Sequence, residues 1–379
     1  MQDSFGLYIH VPFCATRCGY CDFNTYTPGE LGAPNSQASY LDALDQELEL
    51  AAAKVQRPAE TVFIGGGTPS LLGADGLARV LDRVRATFGL AKGAEVTTES
   101  NPESTDPAFF AGLREAGFTR VSLGMQSASS AVLTVLERAH TPGRAFDAAA
   151  EALAAGFEHV NLDMIYGTPG ETDDDVRATL DRVLATGVDH VSAYSLIVED
   201  GTRVARKVAK GQLPAPDEDV LARRYQLIAG ALEEAGYGWY EVSNWAKPGG
   251  DCRHNLIYWR DGDWWGAGPG AHSHLGNTRF FNVKHPARYS RLLADAALPI
   301  AGEETLTDAD RHTEAIMLGL RLSEGIPRDW VSQAADEVVG RHRQRGLLEE
   351  ADGRLKVTDA GRLLADGIIT DILVAEDRG

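Results

Sequence analysis

Six short segments that read as strands, the first an apolar run, alternate with segments of helical periodicity through the first half of the chain. They span residues 7–13, 61–64, 95–98, 120–124, 159–165 and 190–197. Between the first two, Leu41, Leu44, Leu48 and Val55 recur at helical spacing with acids on the other face, and Pro58 closes the segment. Further helices are expected over 77–84, after Asp106-Pro107, from about Ser129, after Pro142-Gly143 and from Asp173. Strand–helix alternation at roughly 30-residue spacing is the pattern of parallel βαβ units. Right-handed crossovers then allow an open sheet or a barrel, and six units are too few to close an eight-stranded one. A partial (β/α)6 barrel fits. Polar residues collect at the C-terminal ends of the runs, where parallel α/β proteins place their chemistry.

From about Gly201 the texture changes. Pro214 and Pro216 introduce a helix over 217–235, followed by an aromatic-rich stretch, 237–281, with five of the six tryptophans. Beyond Leu306, helices are expected over 311–320 and 330–345, then a hairpin over 346–358 and a closing helix at 361–364. That order is winged-helix-like. The tail has no basic excess, so packing or docking of a partner suits it better than DNA. The expected division is 1–200, 201–300 and 301–379.

A net charge of −19 speaks against nucleic acid and against adhesion to anionic lipid. No apolar run reaches the roughly 20 residues that span a bilayer, although contact with a membrane protein stays open. Residues 1–5 show no secretory signal, and four cysteines with three of them clustered is cytosolic usage, so a cytoplasmic protein is expected.

The clustered cysteines are Cys14, Cys18 and Cys21, spaced C-x3-C-x2-C in the loop after the first run. Three thiols this close can turn to one point, as ligands of iron or zinc must. The spacing is not the pair of pairs of a structural zinc site, and the fourth cysteine of a fully protein-ligated cluster is missing. A cubane on three thiolates leaves one iron open to an outside ligand. A zinc loop and a set of buried thiols are the alternatives.

With Tyr20 before its last cysteine, the loop resembles that of the radical S-adenosylmethionine (SAM) family. The resemblance implies a [4Fe–4S] cluster on Cys14, Cys18 and Cys21, SAM on the open iron, and a partial (β/α)6 TIM-like barrel. Gly65-Gly66-Gly67-Thr68-Pro69, one βα unit later, matches the motif that receives the SAM amino group, with Gly66, Gly67 and Thr68 as its contacts. Glu99, Gln126 and Asp163 stand at or near the ends of successive strands, and Arg138 at the end of a helix. A guanidinium fork suits a carboxylate, and Glu, Gln and Asp suit an amino group and ribose hydroxyls. Together with Tyr8 and Tyr20 they match the SAM-binding positions of the coproporphyrinogen-oxidase branch.

Within that branch, the oxygen-independent coproporphyrinogen III oxidase has a further cysteine, C-x3-C-x2-C-x-C, where this chain has Phe23. It also has a long N-terminal extension, whereas Cys14 here lies close to the start. Instead, His254-Asn255-Leu256-Ile257-Tyr258-Trp259 resembles the H-N-x-x-Y-W hexapeptide of the HemW-type haem chaperones. These lack the oxidase activity, bind haem and deliver it to respiratory haem enzymes. An imidazole is a good axial ligand, Tyr258 and Trp259 offer stacking faces, and Cys252 is a nearby soft donor. His254 is the expected haem contact; a hydrogen-bonded core histidine is the alternative. The resemblance leaves oxidative decarboxylation of coproporphyrinogen III as the other function to weigh. His272 and His274, after a glycine turn, are expected to line the SAM pocket. No G-x-S-x-G elbow and no P-loop ending are present.

Overall fold

The computed structural model describes residues 4–31, 36–138 and 141–378, that is, all but the two termini and two short internal stretches. The six expected strands form: β1 (Phe5–Val11), β2 (Ala59–Gly66), β3 (Leu90–Ser100), β4 (Arg120–Gln126), β5 (His159–Tyr166) and β6 (His190–Ser195). They stand side by side in sequence order, every neighbouring pair parallel. Leu7, Ile9, Val62, Ile64, Val121, Leu123, Val160 and Leu162 are completely buried. Apolar alternation on the inner strands of a parallel sheet reflects cover by helices, and the sheet is the centre of the core.

Several of the crossover helices start where side-chain oxygens cap the free N–H groups. Asp106 accepts from Phe109 N at 2.7 Å ahead of Pro107, and Thr172 and Asp175 form a reciprocal capping box. Residues 28–36 are rich in turn formers, a composition that reads as a loop. Pro28–Leu31 makes one helical turn instead, because the Glu30 carboxylate turns back onto Thr27 N at 2.8 Å. Residues 32–35 lie outside the described ones.

The aromatic-rich stretch extends the same sheet at both edges. β7 (Gly238–Glu241) and β8 (Asn244–Ala246) follow β6, with β8 antiparallel to it. On the other side β9 (Asp263–Ala267) pairs parallel with β1, bringing Tyr8 opposite Gly266. β10 (His272–Leu275), β11 (Thr278–Asn282) and β12 (Ile300–Thr305) continue it to twelve strands.

The C-terminal segment carries helices Asp308–Gly319, Asp336–Gln344 and Ala365–Asp377 around a small sheet of β13 (Ile326–Pro327), β14 (Leu348–Ala351) and β15 (Arg354–Val357). The single helix expected over 330–345 is broken. Arg328–Trp330 and Gln333–Ala335 are 3-10 turns separated by extended Val331 and Ser332. Val331 is buried, and Ser332 N donates to the Glu376 carboxylate at 2.6 Å, so packing against the closing helix overrides local helicity. That closing helix runs far beyond the expected 361–364.

Candidate functional site

The cysteine loop leaves β1 at Val11 and is pinned from several sides. Tyr26 N donates to Pro12 O at 2.7 Å, Cys14 N to Tyr26 O at 3.0 Å and Gly19 N to Leu136 O at 2.9 Å. Below the loop, Tyr8 OH and His10 Nδ1 share a hydrogen bond of 3.0 Å, and His10 Nε2 bonds Asn24 O at 3.0 Å. Asn24 Nδ2 in turn reaches Pro269 O at 3.0 Å and Lys284 O at 2.9 Å. The loop is thereby fixed to β1 and to the turn after β9.

Cys14, Cys18 and Cys21 line one cavity of about 530 Å3, shared with Tyr20, Gly66, Gly67, Thr68, Glu99, Gln126, Arg138 and Asp163. Of the expected site residues on the barrel, Tyr8 alone is outside the lining and acts through His10. Burial pushes the Cys14 and Cys21 thiols up, while Arg138 nearby pulls Cys14 down. Arg138 Nη1 lies 3.4 Å from Cys18 Sγ, and its Nη2 donates to Gly124 O at 2.9 Å. It stands beyond its expected place at a helix end: the helix stops at Val135, and left-handed Glu137 (φ 53°) turns the chain inward.

Gly67 is required by close approach, since a Cβ there would lie 2.5 Å from Phe13 O. Gly67 N donates to Val11 O at 2.8 Å and Thr68 N to Phe13 O at 2.7 Å, which closes the glycine turn onto the cysteine loop. Glu99 accepts from Gly66 N at 2.9 Å. Burial, with a smaller push from Asp163, raises it to about 7. Asp163 is raised by burial too, against hydrogen bonds from Ser122 at 2.9 Å and Asn161 at 2.7 Å. Gln126 ends β4 in left-handed backbone (φ 66°), and its buried Oε1 has no partner among the described residues. Such strain and such an orphan acceptor are common where a ligand completes the set. Phe23 (62% exposed) and Ile197 (64%) lie open at the mouth.

The hexapeptide lies elsewhere. It is part of the helix Arg253–Trp259, whose first N–H groups are capped from outside: Glu95 of β3 accepts from Arg253 N and His254 N, each at 3.0 Å. The Cys252 thiol, raised by burial, is 3.6 Å from the same carboxylate. His254 is buried. Its Nδ1 shares a 2.7 Å hydrogen bond with Thr61 Oγ1 and its Nε2 one of 2.7 Å with Tyr258 OH, while its ring stacks on Phe63. Burial pushes it down to about 3, so the ring is neutral.

His272 and His274 do not line the thiol cavity. His274 is buried edge-on to Trp264, and His272 is exposed and stacks on Phe281. Among the described residues, no three His, Cys, Asp or Glu side chains are grouped to hold a single metal ion. No helix among them is long and apolar enough to cross a membrane.

Sequence reasoning missed Glu47, a buried carboxylate on the apolar face of the helix Gln37–Lys54, although its place between Leu44, Leu48 and Ala51 was a signal. It accepts from Gly268 N at 2.7 Å, Asn282 Nδ2 at 2.7 Å and Tyr289 OH at 2.5 Å, holding the turn that backs His10. Burial raises it to about 7 from 4.5, outweighing those hydrogen bonds. A raised carboxyl contributes stability in full below about pH 4.5, and that contribution is lost as pH rises through about 7. Urea unfolding across about pH 5 to 8 is therefore expected to show a flatter decline in Glu47→Gln than in wild type; equal slopes would contradict the assignment.

Two family models match the chain: Radical SAM superfamily over residues 8–183, and HemN C-terminal domain over 306–364. A protein of Mycobacterium tuberculosis, strain H37Rv, named Heme chaperone HemW, is 58% identical over 370 residues, covering 97% of this chain and 95% of that one. Its namesake in Escherichia coli K12 is 33% identical over 389 residues, covering 98% of both. The solved structure of coproporphyrinogen III oxidase (HemN) from Escherichia coli matches with a TM-score of 0.84 at 24% identity, over 98% of this chain and 90% of that one. At that identity the match speaks for the fold, which is the radical SAM α/β fold. With such identity over nearly its whole length, the chain belongs to the HemW heme chaperone family of radical SAM proteins.

Proposed function

We propose that this protein is a haem chaperone that carries a [4Fe–4S] cluster on Cys14, Cys18 and Cys21, binds SAM beside it, and delivers haem to haem-requiring respiratory enzymes. The observation that supports the cofactor reading best is the shared cavity. Three soft thiols, the Arg138 guanidinium, the Glu99 and Asp163 carboxylates, a glycine turn and the orphan Gln126 amide oxygen face one space. That donor set fits an iron–sulfur cluster with a zwitterionic nucleoside next to it. The haem reading is supported by the relatives' printed function and by the hexapeptide at 254–259.

A [4Fe–4S] cluster held by Cys14, Cys18 and Cys21 would supply, when reduced, an electron for cleavage of a sulfonium bound beside it. The chain's own residues set the stage. Arg138 keeps a positive charge beside Cys18 and would pair the SAM carboxylate. Glu99, raised to about 7 and held by Gly66 N, offers a carboxyl oxygen to the amino group. Gln126 and Asp163 offer oxygens to ribose hydroxyls. His10 and Tyr8 hold the loop backbone from below.

Calorimetric titration of SAM into the reconstituted protein tests the pocket. Arg138→Ala is expected to weaken binding about tenfold or more, since a charge-assisted fork is worth roughly 1.5–3 kcal/mol. Unchanged affinity would remove Arg138 from the site. The second reading, oxidative decarboxylation of coproporphyrinogen III, has the oxidase fold in its favour and Phe23 against it. Conversion of added coproporphyrinogen III to a vinyl product, under anaerobic reducing conditions with SAM, would favour it.

A further inference from the structure

We propose that haem sits on the outer face of the hexapeptide helix, in the cavity between that helix and the C-terminal segment, with Arg253 and Arg354 pairing its two propionates. The inference rests on the haem-chaperone reading above and assigns that reading a place.

The helix has two faces. His254 and Tyr258, one turn apart, point into the barrel and bond each other, and the His254 ring stacks on Phe63. With Nδ1 engaged by Thr61 and Nε2 by Tyr258, iron reaches neither nitrogen unless a hydroxyl is displaced. Arg253, Leu256, Ile257 and Arg260 follow the i, i+3, i+4, i+7 spacing of a single face. All four line a cavity of about 860 Å3, closed on the far side by Leu322, Ile326 and Trp330. That volume lies within the roughly 300–1,000 Å3 of small-molecule and cofactor sites. Trp330, with 38% of its surface exposed, and Trp259 give the cavity flat aromatic walls. A porphyrin is a flat apolar disc with two carboxylates on one edge, and shape and lining both suit it.

The charges narrow the choice further. Arg260 is paired with Glu324, both bonds 2.9 Å, and Asp261 with Arg311. Arg253 donates to Gly93 O at 2.7 Å, and Arg354 to Glu324 O at 2.6 Å and Gly325 O at 2.5 Å. Neither has a carboxylate partner among the described residues, and each keeps guanidinium donors to spare. Glu60, the third acid of the lining after Asp261 and Glu324, offsets one of these two charges, so the cavity keeps one positive charge in excess, and the spare donors of both guanidiniums suit the two carboxylates of a porphyrin edge. On a chain of net charge −19 this is a local exception.

Titrating haemin into the full-length protein, followed by absorbance, tests the placement. The arms are wild type, the double variant Arg253→Ala/Arg354→Ala, and wild type titrated with haem dimethyl ester, which lacks the carboxylate charges. The expected result is saturable binding by wild type and a Kd raised about tenfold or more both in the double variant and for the ester. A folded double variant that binds as wild type does, or a wild type that binds ester and free acid alike, overturns the site while leaving the chaperone reading in place. No saturable binding by wild type overturns both. The ester arm needs no variant to fold.

Discussion

Replacing any one of Cys14, Cys18 or Cys21 by alanine is expected to abolish cluster assembly, with iron and sulfide falling from about four of each per chain to under about a tenth of that. A cubane on three thiolates has no protein ligand in reserve, and the position two residues after Cys21 holds Phe23. Cys252 cannot substitute. It is buried against Glu95, which precedes Glu99 of the thiol cavity by four residues on β3, or about 13 Å along the strand. Cys252→Ala is accordingly expected to assemble a full cluster. Iron and sulfide analysis of anaerobically reconstituted protein checks both. Normal sulfide in a Cys18 variant would contradict the ligand set, and zinc without sulfide in wild type would replace the cluster by a zinc loop.

Glu95→Ala is expected to cost the fold about 3–5 kcal/mol, read as a large fall in the urea midpoint. Glu95 is buried and lies 3.9 Å from the guanidinium of Arg120, itself 1% exposed. The same carboxylate caps the first N–H groups of the hexapeptide helix. Removing it strands a buried cation and two backbone donors at once. Glu95→Gln keeps an acceptor oxygen but loses the charge, and is expected to cost roughly half as much. A loss under about 1 kcal/mol for the alanine variant would show that the helix is anchored by packing alone.

The parallel core was legible in the sequence because apolar residues alternate along short strands and several of the following helices carry side-chain caps. Thr172 and Asp106 announce their helices by side-chain chemistry that acts within three residues. The edge strands were not legible: β8 has three residues and is set by pairing with distant β6, and β10 has four and hangs on β9, itself placed by pairing with β1 from the other end of the chain. The break at Val331–Ser332 escaped for a similar reason, since a contact with Glu376 decides it. In the site, spacing pointed to the thiols and the family resemblance to Glu99, Gln126, Asp163 and Arg138, and these share a cavity. What spacing alone could not give was direction. Alternation on a strand suggested that His272 and His274 share a face towards the pocket, yet one is exposed and the other buried away from it. The hexapeptide likewise suggested an available imidazole, and the helix turns that imidazole inward, onto Thr61 and Tyr258.

The most direct test of the central claim is haem transfer. Haem-loaded, cluster-reconstituted protein is mixed with a haem-free respiratory enzyme, the two are separated, and the Soret absorbance and enzyme activity of each are measured. The expected result is haem leaving this chain and activity appearing in the recipient, with the porphyrin chemically unchanged. Retention of haem with no gain in activity, at concentrations where free haem does activate the recipient, would contradict a chaperone.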